Sequence, residues 1–298
     1  MKLKTIGEFG LINKISKITK IHPSVIKGIG DDCAVLKYTG NKYLLFTTDM
    51  ILEGVHFKLK EAAPQQIGYK ALAVNISDIA ACGGIPKWAV VSAGFPKNTT
   101  VNFAEKLYKG MLSAASAFNV DIVGGDTNSS DKIVISVAMI GETDKSRLVL
   151  RSGAKKSDII FITGSLKRAP DDLGFTPKIK ESQFLINNFK INSMIDISDG
   201  LSSDLGHIIN TSRKGARIYE SLLPYKGNFN ESILSTGEQF ELLFTVNRRC
   251  ATRLQKAVKI KNIKVTPIGE ITGDIGKITF ITKNGKSRIL TPSGYRHF

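Results

Sequence analysis

The sequence predicts a two-domain α/β protein with mixed sheets, and three observations carry that expectation. Strand-like and helix-like hydrophobic patterns alternate along the chain. The alternation breaks once, in the polar stretch "TDKSRLVLRSGAKKSD" that begins at Thr143, and resumes with "IIFITG". The 298 residues also suffice to bury two separate cores. The boundary is set near residue 145, giving an N-terminal domain over 1–145 and a C-terminal α/β domain over 146–298.

Taken in order, "EFGLINKISKI" places Phe9, Ile12 and Ile15 three apart, the spacing of an amphipathic opening helix. "CAVLKYTGNKYLLFTTDM" holds two β-rich runs joined by a Thr39-Gly40-Asn41 turn. "PQQIGYKALAVNISDIAACGG" repeats apolar residues at helical spacing, opens on a Pro suited to a first turn and stops at Gly83 and Gly84. A strand "WAVVSAGF" and a helix "VNFAEKLYKGMLSAASAF" follow. A strand then leads into a glycine-flanked turn at "VGGDTN", and "KIVISVAMIGE" closes the first half as a strand. In the second half "IIFITG", "SMIDIS", "FELLFTV", "VTPIGEIT" and "KITFITKNG" read as strands. "GLSSDLGHIINTSRKG" is predicted as a helix ended by Gly215, and "RCATRLQKAVKI" as another. The halves share this rhythm without a sequence repeat.

Composition narrows the function. Lys plus Arg number 42 against 26 Asp plus Glu, a formal charge of +16. The lysines are scattered, no aromatic RNP string or zinc-finger spacing occurs, and Trp88 is the only tryptophan, so the excess reads as a solvated surface and no nucleic-acid partner is expected. No apolar run approaches the roughly 18 residues of a membrane span, and lysines interrupt the N-terminal apolar patches, which predicts a cytoplasmic protein without membrane contact. Cys33, Cys82 and Cys250 are widely spaced and read as inert thiols.

Motifs for a P-loop, a kinase catalytic loop, a nucleophile elbow or a zincin helix are absent. An Asp recurs instead at the edge of apolar segments: "GIGDDCAVL", "FTTDM", "NISDIA", "VGGDTN" and "DISDG". Each Asp alone has a plain reading as a cap or turn residue. Gathered together they would repel, raise one another's pKa and call for a cation; all-oxygen donors of this kind suit a hard ion such as Mg²⁺ that also takes substrate phosphate oxygens. "GIGDD" and "VGGDT" would let backbone amides approach an anion, and Arg151 would add fixed positive charge. His56, in "EGVHF" downstream of Asp49, is either a ligand contact or an ordinary partly buried histidine.

In order, "GIGDDCAVL", "TTDMILEGVHF", "GYKALAVNISDIAACGGIPKW", "VGGDT", "RSGAK", "DISDGLSSDL", "GEQFELLFTV" and "GYRHF" resemble the thiamine-monophosphate kinase family over nearly the whole chain. The resemblance implies the two-domain fold shared with aminoimidazole ribonucleotide synthetase, a homodimer formed through the N-terminal domains, and ATP bound with several Mg²⁺ ions. It implies metal positions at Asp32, Thr48, Asp49, Asp78, Asp126, Asp196 and Asp199, with Asp32, Asp78 and Asp196 central to catalysis. Thr47, Tyr108, Gly125, Asp126, Arg151 and Ser198 match ATP-contacting positions, and His56, Glu238 and Tyr295 match positions that touch thiamine phosphate. Asp204 has no counterpart in the motif and is read as structural.

The chain departs from the family in two places. Gln239 and Phe240 stand where an acid and a tyrosine are usual, which bears on the substrate contacts. The segment from Gly164 to Phe189 is shorter and lacks a glycine- and alanine-rich loop. Two rival readings stay open: another ATP-dependent synthetase of the same superfamily, and a non-catalytic nucleotide-binding regulator.

Overall fold

The computed structural model describes residues 2–167 and 173–295. Its first half carries α1 (Leu3–Ile18), β1 (Val25–Lys27), β2 (Ala34–Lys37), β3 (Lys42–Leu52), α2 (Pro64–Ala81), β4 (Ile85–Phe95), α3 (Val101–Phe118), β5 (Asp121–Ser129) and β6 (Val134–Asp144). The strands form one six-stranded sheet in the order β1-β2-β3-β6-β4-β5. All pairs are antiparallel except β4 with β5.

The second half carries β7 (Ile159–Thr163), α4 (Ile179–Asn188), β8 (Ile191–Asp196), α5 (Leu201–Ser212), β9 (Gly215–Tyr219), α6 (Ser232–Ser235), β10 (Leu242–Val246), α7 (Arg248–Ile260), β11 (Val265–Thr272), β12 (Ile278–Ile281) and β13 (Ser287–Leu290). These strands make a seven-stranded sheet, β13-β12-β9-β11-β7-β10-β8, in which only β9 and β12 run parallel. The α/β class with two mixed sheets is thus as the sequence predicts.

Helix α2 positions everything that follows. Pro64 opens it, and the Gln66 side chain accepts the Ala63 N–H at 2.9 Å. It crosses α3 at backbone contact: a Cβ on Gly68 would lie 1.9 Å from the Leu107 carbonyl, and one on Gly110 would lie 1.9 Å from that of Gln65. Its apolar side chains Leu72, Ile76 and Ile79 fill the core under the first sheet with Leu107 and Met111 of α3. Its last turn, Ala80 and Ala81, packs instead on Phe161, Leu185 and Phe244 of the second half. Buried on nearly every side, α2 is hydrophobic all round, as a helix wedged between two layers must be.

The opposite face of the first sheet is bare. Phe46, Met50, Trp88, Val90 and Val123 are exposed there, while β6 alternates between residues buried against the helices and residues half-open to solvent.

Several local expectations change. The "VGGDT" stretch is part of the edge strand β5 rather than a turn. Helix α5 ends at Arg213 in the left-handed conformation, and Gly215 opens β9. The strands β1, β9 and β13 and the helix α4 were not expected. Helix α4 lies in the shortened segment 164–189, of which residues 168–172 lie outside the described residues, as do the last three residues of "GYRHF". Among the described residues no helix is long and apolar enough to cross a membrane. Cys33, Cys82 and Cys250 are free thiols.

Candidate active site

One large cleft, about 1470 Å³, runs between the two halves, and its walls come from α1, the loop before β2, β3, α2, the end of β8, the start of α5 and the segment before β10. Three carboxylates meet in it. Asp32 comes from the loop leading into β2, Asp78 from α2 and Asp196 from the last position of β8, and an oxygen of each lies within 4.8 Å of the others. Two belong to the first half and one to the second.

Removing these groups from water is costly and their like charges add to the cost. Burial, then the Asp32 charge, pushes Asp196 to about 7. Burial, with Asp32 and Asp199 nearby, pushes Asp49 to about 6. Asp78 is held well above the usual carboxylate range by burial and by Asp49, Asp196 and Asp32. Asp31 rises to about 6 through burial and its neighbour Asp32.

Short hydrogen bonds fix the acids despite this. The Thr47 hydroxyl donates to Asp78 Oδ2 at 2.5 Å, and the Ser77 hydroxyl donates to Asp196 Oδ2 at 2.6 Å, tying α2 to β8. Asn75 Oδ1 accepts the Asp49 N–H at 3.0 Å. Arg151 donates from Nε (3.2 Å) and Nη2 (2.7 Å) to Asp32 Oδ1, and its backbone N–H donates to Asp31 Oδ1. Asp32 Oδ2 is buried without a hydrogen-bond partner. Three converging hard oxygen donors with one orphaned lone-pair site fit a divalent cation such as Mg²⁺.

The rest of the cleft is built around this acidic floor. His56 follows β3 in a tight turn and accepts the Leu52 N–H at Nδ1 (3.0 Å). Lys70, 1% exposed, donates to the His56 carbonyl and to Glu238. At the start of α5 the Asp204 carboxylate reaches back to accept the N–H groups of Asp199 and Gly200, which gives it a structural role in the turn that leads into the helix. Those two amides are therefore already engaged.

Two family models match the chain, the AIR synthase related protein N-terminal domain over residues 30–143 and its C-terminal domain over 150–281. Thiamine-monophosphate kinase of Bacillus subtilis is 35% identical, covering 98% of this chain and all of that protein, and the Aquifex aeolicus protein of that name is 34% identical over the whole of both. The chain belongs to the thiamine-monophosphate kinase family. The solved structure of AaThiL complexed with AMPPCP and TMP superposes with a TM-score of 0.85 at 32% identity, covering 100% of this chain and 99% of that one. A HypE–HypF complex, at 22% identity and a TM-score of 0.78, shares the fold.

Of the residues that resemble this family's functional positions, the structure gathers Asp32, Thr47, Thr48, Asp49, His56, Asp78, Arg151, Asp196, Ser198, Asp199, Glu238 and Tyr295 along the cleft. Within that group Thr47 spends its hydroxyl on Asp78. Thr48 is exposed on the bare face of β3 while its neighbours alternate to the other side. Tyr108, Gly125 and Asp126 lie elsewhere. Tyr108 packs on the core from α3, and Gly125 and Asp126 sit on edge strand β5, with β4 and β6 between them and β3. Gly125 has a structural reason of its own, since a Cβ there would lie 1.9 Å from the Val91 carbonyl. Within this chain Asp126 therefore stands apart from the acids of the cleft.

Sequence reasoning for this thiamine-monophosphate kinase relative passed over Lys70, Asn75 and Ser77. The signal was present: Lys70 stands three after Ile67 and four before Val74, squarely in the apolar stripe of α2.

Proposed function

We propose that this chain transfers the γ-phosphoryl group of ATP to thiamine phosphate by direct in-line displacement, yielding ADP and thiamine diphosphate. The observation that carries the reading is the Asp32–Asp78–Asp196 cluster with its orphaned oxygen, contributed by both halves, in the same cleft as His56, Glu238 and Tyr295. In the reaction an oxygen of the acceptor phosphate forms a bond to the γ-phosphorus, the bond to the β-bridging oxygen breaks, and ADP leaves with the electron pair. That acceptor oxygen is already ionised near neutral pH, so the chain needs no general base; its task is to position two anions that repel. Mg²⁺ held by Asp32, Asp49, Asp78, Asp196 and Asp199 would offset that repulsion and the charge developing on ADP. Arg151 adds a fixed guanidinium beside the nucleotide phosphates, Ser198 borders them, and His56, Glu238 and Tyr295 line the acceptor's end.

The two departures from the family support a catalytic rather than a regulatory reading. Gln239 is buried and clips the Lys167 backbone, accepting its N–H at 2.8 Å and donating to its carbonyl at 3.2 Å. Phe240 stacks on Phe175 with ring centroids 3.9 Å apart. Both brace the loop, and Glu238 keeps its place on the cleft.

The same reading makes the chain a homodimer through the bare face of the first sheet. Asp126 pairs in register with Ser92, which pairs with Ser136 and that with Met50, so Asp126 shares Met50's face three strands away, about 14 Å at the usual strand spacing. Asp126 can serve as a metal position, with Gly125 and Tyr108 at the nucleotide, when a second copy supplies them. Its apolar face is the kind of surface a two-fold interface covers. The domains divide at 145/146, and the protein works in the cytoplasm.

Incubation with ATP, Mg²⁺ and thiamine phosphate is expected to give thiamine diphosphate by chromatography. Asp78→Asn and Asp196→Asn are each expected to lower turnover by about 10²-fold or more with circular dichroism unchanged. ATP consumed only with some other acceptor would move the assignment to a related synthetase.

A further inference from the structure

Lys70 is a fully buried cation in a helix whose buried surface is mostly apolar. Such a charge persists only when paired and hydrogen-bonded. Its partners come from opposite halves of the molecule: the His56 carbonyl at 2.8 Å, in the turn that follows β3, and Glu238 Oε1 at 2.5 Å, in the loop before β10. Both partners sit in segments that need holding. The His56 turn closes on itself through Gly54 N–H to the Phe57 carbonyl and His56 N–H to the Leu52 carbonyl. The Glu238 loop is the stranger of the two, because Glu238 (φ 56°) and Phe240 (φ 48°) both adopt left-handed backbone without being glycine. Strain of that kind persists where surrounding contacts over-determine it, and at functional sites more than elsewhere.

We propose that Lys70 is a positioning residue of the acceptor end of the cleft, which sets the Glu238 carboxylate and the His56 turn at once through a single ammonium group. This rests on the reading of that end as the thiamine phosphate site. With Oε1 committed to Lys70, Glu238 presents Oε2 to the acceptor. An oxygen so presented takes an N–H donor or a cationic ring, and thiamine phosphate carries both an amino-substituted heterocycle and a positively charged one. Lys70 itself touches no reacting atom and acts through Glu238. It also spans the two halves, so acceptor recognition depends on the halves being correctly docked.

The test is a double-variant cycle on the full chain. Lys70→Met is expected to raise KM for thiamine phosphate by about tenfold while kcat and KM for ATP change less than about threefold. In a Glu238→Gln background the same substitution is expected to raise that KM by no more than about threefold, since the carboxylate it holds is already altered and only its bond to the His56 turn is left to lose. Equal losses for ATP and acceptor, or effects that simply multiply, would assign Lys70 a general structural role and overturn the proposal. Should Lys70→Met alone fail to fold, the Lys70→Met/Glu238→Gln pair removes the buried cation together with the charge of its half-buried partner; a KM for thiamine phosphate more than about threefold above that of Glu238→Gln alone would overturn it. Hydrogen–deuterium exchange separates this from the assignment of the reaction. Without any substrate, Lys70→Met is expected to speed exchange about tenfold at both 236–240 and 54–57, and unchanged exchange in those two segments would refute the positioning role even if the kinase assay succeeds.

Discussion

Asp31, Asp49 and Asp196 release their protons at about 6, 6 and 7, against 3.8 for an unburied aspartate. Between about pH 4 and pH 7 the folded chain therefore holds more protons than the unfolded one, and stability falls as pH rises through that window. His207 has the opposite sign: burial lowers it from 6.5 to about 4, so its contribution is lost as pH falls. Three carboxylates outweigh one imidazole. The metal-free protein is expected to melt at a lower temperature at about pH 7.5 than at about pH 5, and Mg²⁺ is expected to shrink the difference because it binds the ionised acids. Thermal scans with chelator and with Mg²⁺ check this; a metal-free Tm that climbs over the same range would count against the buried acidic cluster. The cluster is thus a stability cost that the fold tolerates, offset by Thr47, Ser77 and Arg151, which hold the acids in place before any cation arrives.

At the level of elements, the α2–α3 crossing is among the tightest points in the first half. A methyl at Gly68 or Gly110 would meet backbone, which cannot swing aside as a side chain can. Gly68→Ala is expected to cost about 1–3 kcal/mol or more through forced separation of the helices, read as a lower denaturant midpoint; a neutral result would mean that the crossing is looser than its geometry. Such contacts leave no trace in periodicity, although the helices themselves do. Long patterned elements such as α3, β3 and β6 were legible because one face of each is buried along its length, and α2 because its apolar residues run its whole length between clear start and stop signals. The strands β1, β9 and β13 run three to five residues and carry too few alternations to read. Edge strand β5 was misread because Gly124 and Gly125 look like a turn, when Gly125 answers to the nearness of Val91. The acids of the site were legible as types at motif positions. That Asp126 faces away from Asp78 was not, because sheet order is settled by distant pairings that no local pattern records.

For the whole molecule, the proposed dimer is what gives that sheet order its consequence, because a working cleft would then draw on two chains. Asp78→Asn and Asp126→Asn, each inactive alone, are expected to regain about a quarter of normal turnover when unfolded together and refolded as mixed dimers. Half of the dimers would then be mixed, each with one intact cleft. No recovery on mixing, with mixed dimers confirmed by mass, would place Asp126 outside the site. The cleft also joins the two halves of each chain, since Ser77 on α2 reaches Asp196 on β8 and Lys70 reaches Glu238.

That wedge of α2 has a temporal side. Ser77 is made 119 residues before Asp196, so at roughly 5–20 residues per second a ribosome leaves the helix waiting on the order of ten seconds for half of its surroundings. During that interval an apolar face and an uncompensated lysine stand open to whatever else is in the cell. Slower translation between codons 82 and 196 is accordingly expected to lower the yield of folded protein, by lengthening that interval.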